Sequence, residues 1–306
     1  IGKYAGTLYI DDFEVYYTKS SNTIPLTDEE KKKALTPALQ NWIYGMMEAT
    51  EGKVKAWDVV NEALSGEDKD GDGKFDLQSA KRGNVKPDDA KNNFYWQDYL
   101  GDIDYVRTAV AAARKGFADA GGTPEDLKLF INDYNLESDW DQNGKLKSLI
   151  QWIKDWEADG VTKIDGIGSQ MHISCYGNPK TQEAKKNAIE NMLKLMADSR
   201  KLVRISELDM GYVDANGKEV KTADMTEEQH KEMRALYEFV VKKYLEIIPE
   251  NQQWGICQWC ATDSPANSGW RAGLPVGLWD LDYYRKHTYA GFAAGLGAPE
   301  YWNNAK

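Results

Sequence analysis

The chain has 306 residues, of which 42% are hydrophobic and 28% are charged, a composition typical of a globular protein with a sizeable core. Its formal net charge of −11 argues against nucleic acid or an anionic membrane as a partner, because both attract basic surfaces. No apolar run approaches the roughly 20 residues of a membrane-spanning helix, and no signal peptide is visible. The chain begins with Ile1 rather than Met, so we expect that its beginning has been lost.

The first predicted element is a strand within residues 1–18, where apolar and polar side chains alternate. Thr27 and Glu30 then form the pattern of a helix capping box, and the pair Thr36–Pro37 predicts the start of a second helix. Beyond it, apolar strands alternate with helical patterns. The predicted strands are 55–60, 127–133, 164–173, 202–209 and 255–262, and the predicted helices are 94–120, 143–158, 179–200, 226–247 and 287–295.

Polar side chains gather where the predicted strands end. They are Asn61 and Glu62, Asn132 and Asp133, Gln170 and His172, Glu207 and Asp209, and Asp263. The alternation of strands and helices predicts a parallel α/β fold. A TIM (β/α)8 barrel collects functional residues at the carboxyl ends of many strands, whereas a doubly wound sheet uses mainly the strands beside its switch point. Polar residues at five strand ends favour the barrel, although five strands are predicted rather than eight.

Two cysteines, Cys257 and Cys260, form a C-x-x-C pattern of the kind found in redox and zinc sites. Their surroundings predict a strand, where positions i and i+3 face opposite sides. No second Cys/His pair is spaced to complete a zinc site. We therefore expect two thiols in the core.

Five motifs in order make the chain resemble glycoside hydrolase family 10, the endo-β-1,4-xylanases, over about residues 26–306. They are "WDVVNEA", "INDYNLE", "GSQMHIS", "ISELDM" and "ICQWCATDSPANSGWR". The resemblance implies a TIM barrel in which these motifs belong to strands four to eight. It also implies hydrolysis with retention of configuration.

The family's first three strands, with their own sugar-binding residues, do not precede "LTDEEKKKAL" in this chain. In their place, "AGTLYIDDFEVYY" resembles the last strand of a jelly-roll carbohydrate-binding module. We therefore expect residues 1–20 to be the remnant of such a β-sandwich module. Residues 25–306 would be the C-terminal portion of the catalytic domain, which an upstream segment or a second chain would complete.

Retaining hydrolysis of a β-glycoside needs a proton donor and a carboxylate nucleophile, with the two carboxyl groups about 5–5.5 Å apart. By resemblance, Glu62 is the acid/base and Glu207 is the nucleophile. Glu62 must hold its proton before bond cleavage, whereas Glu207 must stay ionised. An isolated glutamate is more often a solvated surface acid, so the assignment depends on the motifs.

Three further catalytic residues and one sugar contact follow from the resemblance. His172 would hydrogen-bond Glu207, and Asp209 would orient the His172 ring. Asn61 would donate to the substrate 2-hydroxyl, an interaction that strengthens in the transition state. Gln170 would contact the nucleophile or the sugar at the same level.

Aromatic and amide side chains complete the implied cleft. Trp259 and Trp270 match the aromatic walls of the family's glycone subsites, and Asn132 and Tyr134 match its aglycone contacts. A barrel core also accepts tryptophan, so packing is the alternative role for the two tryptophans.

The segment "DKDGDGKFD" carries a separate signal, the spacing of a calcium loop. Asp68, Asp70 and Asp72 occupy its first ligand positions, and Asp76 occupies position nine. Position twelve is Ser79 rather than the bidentate glutamate of the full pattern, so a flexible acidic turn is the alternative. The expected role of calcium is structural, since the hydrolysis itself requires no cofactor.

The function expected from these features is endo-β-1,4-xylanase activity on xylan or xylo-oligosaccharides. A β-1,4-glucanase of the same mechanism is the alternative within that chemistry. A non-catalytic carbohydrate-binding protein is the alternative from another class. Because xylan is an insoluble polymer, we expect the protein to be secreted or held at the cell surface.

Overall fold

The fold is seen in a computed structural model that describes residues 24–83 and 85–299. The predicted strand at 1–18 and the module remnant at 1–20 lie outside the described residues. The helices are α1 (Asp28–Ala49), α2 (Pro87–Asn92), α3 (Gln97–Leu100), α4 (Asp104–Asp119), α5 (Gly144–Glu157), α6 (Pro179–Asp198), α7 (Glu227–Ile247) and α8 (His287–Gly295). The strands are β1 (Ala56–Asn61), β2 (Lys128–Asp133), β3 (Gly166–Ser169), β4 (His172–Tyr176), β5 (Leu202–Val213) and β6 (Gln253–Gln258).

All strand pairs of the sheet are parallel. The strand order is β1, β2, β3, β5 and β6, and β4 pairs with the distal part of β5. Helices separate consecutive strands in the sequence, as in βαβ units, except between β3 and β4, where only two residues intervene. The predicted parallel α/β fold is therefore confirmed, and the carboxyl ends of all strands lie at the same edge of the sheet.

Three predicted elements had wrong bounds. The helix expected at 94–120 is divided into α3 and α4, because Gly101 has a φ of 90°, outside the helical region. The strand expected at 164–173 is divided into β3 and β4, because Met171 has a left-handed backbone (φ 56°) that interrupts the strand. The helix expected to begin at Thr36–Pro37 is instead the middle of α1. Pro37 lacks the N–H that would bond the carbonyl of residue 33, but Lys33 is exposed, so water can supply that bond.

The helix-facing side of the sheet forms the hydrophobic core. Leu129, Ile131, Ile167, Val203 and Ile205 alternate along their strands and are almost completely buried. They pack in one cluster with buried residues of the surrounding helices. This packing fixes which residues of each strand face the other side.

The opposite, concave side of the sheet carries aromatic and charged side chains. The ring of Phe130 lies 5.7 Å from that of Trp254 between centroids, and the Arg204 guanidinium lies 4.6 Å from the Phe130 centroid. Arg204 also forms an ion pair with Asp58 across the sheet. These four side chains form a layer below the carboxyl edge of the sheet.

Glycines in β3 make room for side chains of the neighbouring strand. A Cβ atom on Gly166 would come within 2.2 Å of the Phe130 ring, and one on Gly168 within 2.4 Å of Asn132 Oδ1. Both positions therefore require glycine. Because Gly168 has no side chain, the Asn132 side chain can lie over β3 and reach toward β5.

The sheet has two open edges within the described part of the chain. There, β1 pairs only with β2, and β6 pairs only with β5. A groove of about 330 Å³ beside β1 is lined by apolar side chains that include Leu39, Ile43 and Trp57. Such an edge is a site at which further strands or helices can pack.

The C-x-x-C cysteines were expected in the core, and this prediction was wrong. Cys257 and Cys260 are both exposed, since Cys257 lies in the edge strand β6 and Cys260 follows that strand. Among the same residues, no helix combines the length and the apolar character needed to cross a membrane.

Candidate active site

The carboxyl edge of the sheet brings together polar residues that are far apart in the sequence. They are Asn61 at the end of β1, Glu62 after it, Asn132 near the end of β2, Gln170 between β3 and β4, His172 at the start of β4, and Glu207 and Asp209 in β5. Hydrogen bonds and short nitrogen–oxygen contacts connect all seven. The sequence had predicted this clustering from the parallel fold.

Glu62 is held in an uncommon backbone conformation immediately after β1. Its φ is 55°, a value that few residues other than glycine adopt. Its N–H donates to the carbonyl of Asn132 (2.8 Å), and its own carbonyl accepts from Gln78 Nε2 (2.6 Å). These bonds on both sides of the residue fix the direction of the Glu62 side chain at the edge of the sheet.

The carboxyl group of Glu62 accepts a hydrogen bond from Gln170. The distance from Gln170 Nε2 to Glu62 Oε1 is 2.8 Å, and Gln170 is only 2% exposed. Of the two contacts expected of Gln170, the one with Glu207 is not observed, and the one with the sugar stays a prediction. The interruption between β3 and β4 explains this difference, because it turns Gln170 toward β1.

The carboxyl group of Glu207 accepts a hydrogen bond from Asn132. One amide nitrogen of Asn132 donates to both Glu207 Oε1 and Asn61 Oδ1, each at 2.9 Å. The Asn132 oxygen accepts from the Ser206 hydroxyl at 2.6 Å. Asn132 is 1% exposed, so the structure places it beneath Glu207 rather than open to an aglycone sugar.

Asn61 lies between the two halves of this network. Its Oδ1 accepts from Asn132 at 2.9 Å and from Gln170 at 3.4 Å. Because these two donors identify the oxygen, the Asn61 NH2 group is left as a donor at the exposed surface of the site. This orientation suits the predicted contact with a sugar hydroxyl.

His172 lies between Glu207 and Asp209. Its Nε2 is 3.3 Å from Glu207 Oε2, and its Nδ1 is 3.1 Å from Asp209 Oδ1. The second pair of atoms is close but not aligned as a hydrogen bond. The two carboxyl groups therefore lie on opposite sides of the imidazole, one against each ring nitrogen.

Asp209 is completely buried and is anchored by the loop after β6. Trp270 Nε1 donates to Asp209 Oδ2 at 2.8 Å, and Arg271 Nη1 lies 3.4 Å from Asp209 Oδ1. Arg271 also donates to the carbonyls of His172 (2.9 Å) and Ile173 (2.7 Å). This loop therefore holds both Asp209 and the backbone of His172.

Arg271 and Ser206 also contact the site, although no motif predicted a site role for either of them. Arg271 follows Trp270 in the last motif, and Ser206 precedes Glu207 in the "ISELDM" motif. Their adjacency to assigned residues was the available signal. Their partners, however, lie on other strands and are visible only in the fold.

The aromatic residues differ in what they offer to a ligand. Trp259 and Trp270 are 44% and 46% exposed, so part of each indole is open. Tyr134 is half-buried, and Lys145 Nζ lies 3.3 Å from its ring centroid. Lys145 also forms a 2.7 Å ion pair with the buried Asp133. Burial raises the pKa of the Tyr134 hydroxyl. One face of Tyr134 is thus occupied by a lysine.

The acidic loop after β1 brings three carboxylates together. Asp68, Asp70 and Asp72 each offer an oxygen, and these oxygens lie within 4.8 Å of one another. The fourth predicted ligand, Asp76, is not in this group, and its Oδ2 accepts the N–H of Lys69 at 2.8 Å. Clustered carboxylate oxygens are ligands that calcium prefers, so calcium binding at this loop stays a prediction.

The geometry can be compared with known proteins. A sequence profile described as Glycosyl hydrolase family 10 matches residues 15–294. Endo-beta-1,4-xylanase Xyn10C from Cellvibrio japonicus is 30% identical over 262 residues, which are 80% of this chain and 37% of that protein. A thermostable celloxylanase from Thermoclostridium stercorarium is 29% identical over 259 residues, 83% of this chain and 55% of that protein.

The fold also resembles solved structures. Native xylanase10C from Cellvibrio japonicus superposes with a TM-score of 0.65 at 24% identity, over 88% of this chain and 52% of that one. The chain therefore spans between about a third and a half of the length of these proteins.

Proposed function

Because the chain belongs to glycosyl hydrolase family 10, we propose that it is an endo-β-1,4-xylanase that hydrolyses xylan or xylo-oligosaccharides with retention of configuration. One observation supports this proposal above the others. Glu62 follows β1 and Glu207 lies within β5, yet one network of three amides, those of Gln170, Asn61 and Asn132, connects their carboxyl groups. A pair of carboxyl groups held in this way is what double displacement requires.

In the first step of the proposed mechanism, a Glu207 oxygen attacks the anomeric carbon. The bond to the leaving oxygen breaks, and Glu62 gives that oxygen its proton. In the second step, Glu62 takes a proton from water as the water oxygen attacks the same carbon. The bond to Glu207 then breaks, and both carboxyl groups return to their starting states.

The observed contacts suit the two roles. Glu207 needs to stay ionised, and both Asn132 and His172 place nitrogen atoms against its oxygens, at 2.9 and 3.3 Å. Glu62 receives a neutral amide donor on one oxygen, which leaves the other oxygen to carry the transferable proton. The chemistry proposed here uses carboxyl groups and water and requires no cofactor.

Xylan is the substrate that the relatives' names favour, since Xyn10C is an endo-β-1,4-xylanase. The relative described as a celloxylanase keeps a β-1,4-glucanase as the second candidate. A non-catalytic carbohydrate-binding protein is the third, and the exposed Trp259 and Trp270 would serve it equally well. A polymer such as xylan cannot cross a membrane, so we place the protein outside the cell or at its surface.

We further propose that the described strands correspond to strands four to eight of a TIM barrel, with residues 25–306 as the C-terminal part of the catalytic domain. The open edges at β1 and β6 and the apolar groove beside β1 support this. An upstream segment or a second chain would cover these edges, and residues 1–20 would be the end of a carbohydrate-binding module.

The test measures reducing ends released from xylan and from β-glucan by the chain and by two variants, Glu62→Ala and Glu207→Ala. Loss of xylan hydrolysis in both variants is expected, while Glu228→Ala on the exposed face of α7 serves as the matched control. A 2-fluoro-xylobioside that labels Glu207 would establish the covalent step. Xylan hydrolysis that survives Glu207→Ala, or binding without hydrolysis even with the barrel completed, would contradict the proposal.

A further inference from the structure

The carboxyl edge of the sheet also carries a buried ion pair, one residue beyond Asn132. Asp133, the last residue of β2, and Lys145, near the start of α5, are both buried. Lys145 Nζ lies 2.7 Å from Asp133 Oδ1. Removing two charges from water is costly unless hydrogen bonds satisfy both of them. The mechanism proposed for Glu62 and Glu207 uses neither residue, so the place of this pair beside them needs a reason.

Both carboxyl oxygens of Asp133 have partners. Its Oδ1 accepts from Lys145 Nζ and from the N–H of Tyr134, at 2.7 and 2.9 Å. Its Oδ2 accepts the N–H of Leu64 at 3.0 Å in a buried hydrogen bond. Leu64 is 69 positions away in the sequence and follows Glu62 by two residues. Asp133 is therefore tied to the segment that carries the Glu62 carboxyl group.

The segment that carries Glu62 is bound to β2 at two points. The N–H of Glu62 donates to the carbonyl of Asn132 at 2.8 Å, and the N–H of Leu64 donates to Asp133. The φ of Glu62 is 55°, which is unfavourable for a residue other than glycine and persists only where the surrounding structure holds it. Of the two bonds, the one to Asp133 depends on a side chain. A substitution at Asp133 can therefore release this backbone.

Lys145 keeps the Asp133 carboxyl group charged and in place. Burial raises the pKa of Asp133, and the charge and hydrogen bond of Lys145 oppose that rise. The ammonium group is confined in turn, since Nζ lies 3.3 Å from the centroid of the Tyr134 ring. An ionised carboxyl group accepts stronger hydrogen bonds than a neutral one. The ion pair therefore strengthens the bond to Leu64 and joins α5 to the Glu62 segment.

A second buried pair of the same chemistry offers a comparison. Asp263, which lies beyond β6, is paired with Lys286, and both are buried. Asp263 Oδ1 also accepts the N–H of Gly277 at 3.0 Å, and its Oδ2 has no hydrogen-bond partner among the described residues. These bonds hold the chain that follows β6. In the described part of the protein, the Asp133 pair is thus the one that is bonded to the Glu62 segment.

We propose that Asp133 is a positioning residue for Glu62, that it acts through the backbone of Leu64, and that Lys145 maintains it in that role. The inference rests on the proposed function, in which Glu62 is the acid/base. Asp133 touches no reacting atom in this mechanism. It keeps Glu62 in the left-handed backbone conformation that directs the carboxyl group toward Gln170 and the leaving oxygen of the substrate.

The experiment compares kcat/KM of the full chain on two substrates that differ in their need for a proton. Cleavage of xylotetraose requires a proton from Glu62, whereas 2,4-dinitrophenyl β-xylobioside releases a stable phenolate without one. Asp133→Asn keeps the shape of the side chain but leaves one acceptor oxygen in place of two. We expect it to lower kcat/KM for xylotetraose by about tenfold or more relative to the dinitrophenyl substrate.

Two further variants complete the comparison. Asp263→Asn makes the same change in the second buried pair and is expected to affect both substrates equally. Lys145→Gln keeps a donor to Asp133 but removes its charge, so its discrimination between the substrates should lie between those of wild type and Asp133→Asn. This variant also tests the inference if Asp133→Asn folds poorly. Equal losses on the two substrates, or no loss on either, would overturn the inference.

Azide gives a second measure of the Glu62 position. It attacks the anomeric carbon of the covalent intermediate in place of water, the bond to Glu207 breaks, and a glycosyl azide forms without a general base. If Glu62 is displaced in Asp133→Asn, azide should raise kcat on the dinitrophenyl substrate more in that variant than in Asp263→Asn. An equal response of the two variants would contradict the displacement of Glu62.

Failure of the proposed function is distinguishable from failure of this inference. If the wild-type chain hydrolyses neither substrate, amide hydrogen exchange at Glu62 and Leu64 measures the hold on this segment directly. Faster exchange at Glu62 in Asp133→Asn than in Asp263→Asn would then support the positioning role without the hydrolysis. Equal exchange in the two variants would reject it.

Discussion

Gln170 donates a hydrogen bond of 2.8 Å to Glu62, the acid that the sequence placed at the end of β1. The two residues are 108 positions apart and meet because β3 ends beside the carboxyl edge of the sheet. Gln170 is buried, so its amide cannot turn away without losing this bond and its contact with Asn61. Glu62 is therefore held by a neutral donor, whereas Glu207 faces an amide and an imidazole.

Replacing Gln170 tests whether this bond positions Glu62, the proposed acid/base. In Gln170→Ala, Glu62 loses its amide donor, and we expect kcat to fall by roughly 10- to 100-fold, since a hydrogen bond to an acidic group contributes about 1.5–3 kcal/mol. Gln151→Ala is the matched control, because Gln151 also donates to a carboxylate, that of Asp155 at 2.9 Å, but does so on the surface of α5. Equal effects of the two substitutions would contradict the positioning role.

Asn132 should act on the step that forms the covalent intermediate. Asn132→Ala removes the donor to Glu207 and leaves the Ser206 hydroxyl without its acceptor, so we expect labelling of Glu207 by a 2-fluoro-xylobioside to slow by about tenfold or more. Asn143→Ala removes another buried asparagine, which bonds the carbonyls of Leu136 and Ala188. That control is expected to lower stability without slowing the labelling of the folded fraction.

The two exposed tryptophans should respond differently to loss of the indole N–H. Trp270→Phe keeps an aromatic face but leaves the buried Asp209 Oδ2 without its 2.8 Å donor, so the free energy of unfolding should fall by about 1–3 kcal/mol. Trp259→Phe should leave the melting temperature unchanged and alter KM instead. Thermal unfolding and steady-state kinetics on the same samples make the comparison. A Trp270→Phe protein as stable as wild type would contradict the anchoring role.

Calcium should raise the melting temperature through the acidic loop. A ligand at about 100 times its dissociation constant stabilises the folded state by about 2.7 kcal/mol, and Asp70→Ala should abolish that shift by removing one of three clustered carboxylates. Asp88→Ala, an exposed acid in α2, is the control. Identical melting curves in calcium and in chelator for the wild-type chain would reject the site.

Two histidines predict how stability depends on pH. The rings of His230 in α7 and His287 in α8 stack 6.2 Å apart, and burial lowers the pKa of both below the ordinary value of 6.5. The charge of Lys286 lowers the pKa of His230 further, whereas Glu227 raises that of His287. The unfolded chain therefore takes up these protons more readily than the folded protein does.

The stabilising contribution of neutral His230 and His287 is present above pH 6.5 and is lost as the pH falls from there through the folded-state pKa values. The free energy of unfolding changes by at most about 1.4 kcal/mol per pH unit for each proton taken up. Urea unfolding measures this free energy at pH 7.5 and at pH 5.5, about one unit above and below the ordinary histidine pKa. His230→Gln should flatten the dependence, and an unchanged slope would contradict the assignment.

The sequence alone determined where the polar side chains of the candidate site gather. The alternation of apolar strands and amphipathic helices predicted a parallel sheet, and parallel strands place their carboxyl ends at one edge. Glu62, His172, Glu207 and Asp209 follow from that rule together with the five motifs. Local patterns were sufficient here, because the side-chain alternation of a strand and the direction of a parallel ladder are encoded within a few residues.

The tertiary structure alone decided which of these groups touch. Asn132 meets Glu207 across 75 positions, and Gln170 turned toward Glu62 because Met171 interrupts the strand. Cys257 is exposed for a similar reason, since its surroundings depend on whether another strand covers β6. Contacts of this kind join residues that are distant in the chain, and their geometry depends on the packing of several strands at once. No local pattern in the sequence carries that information.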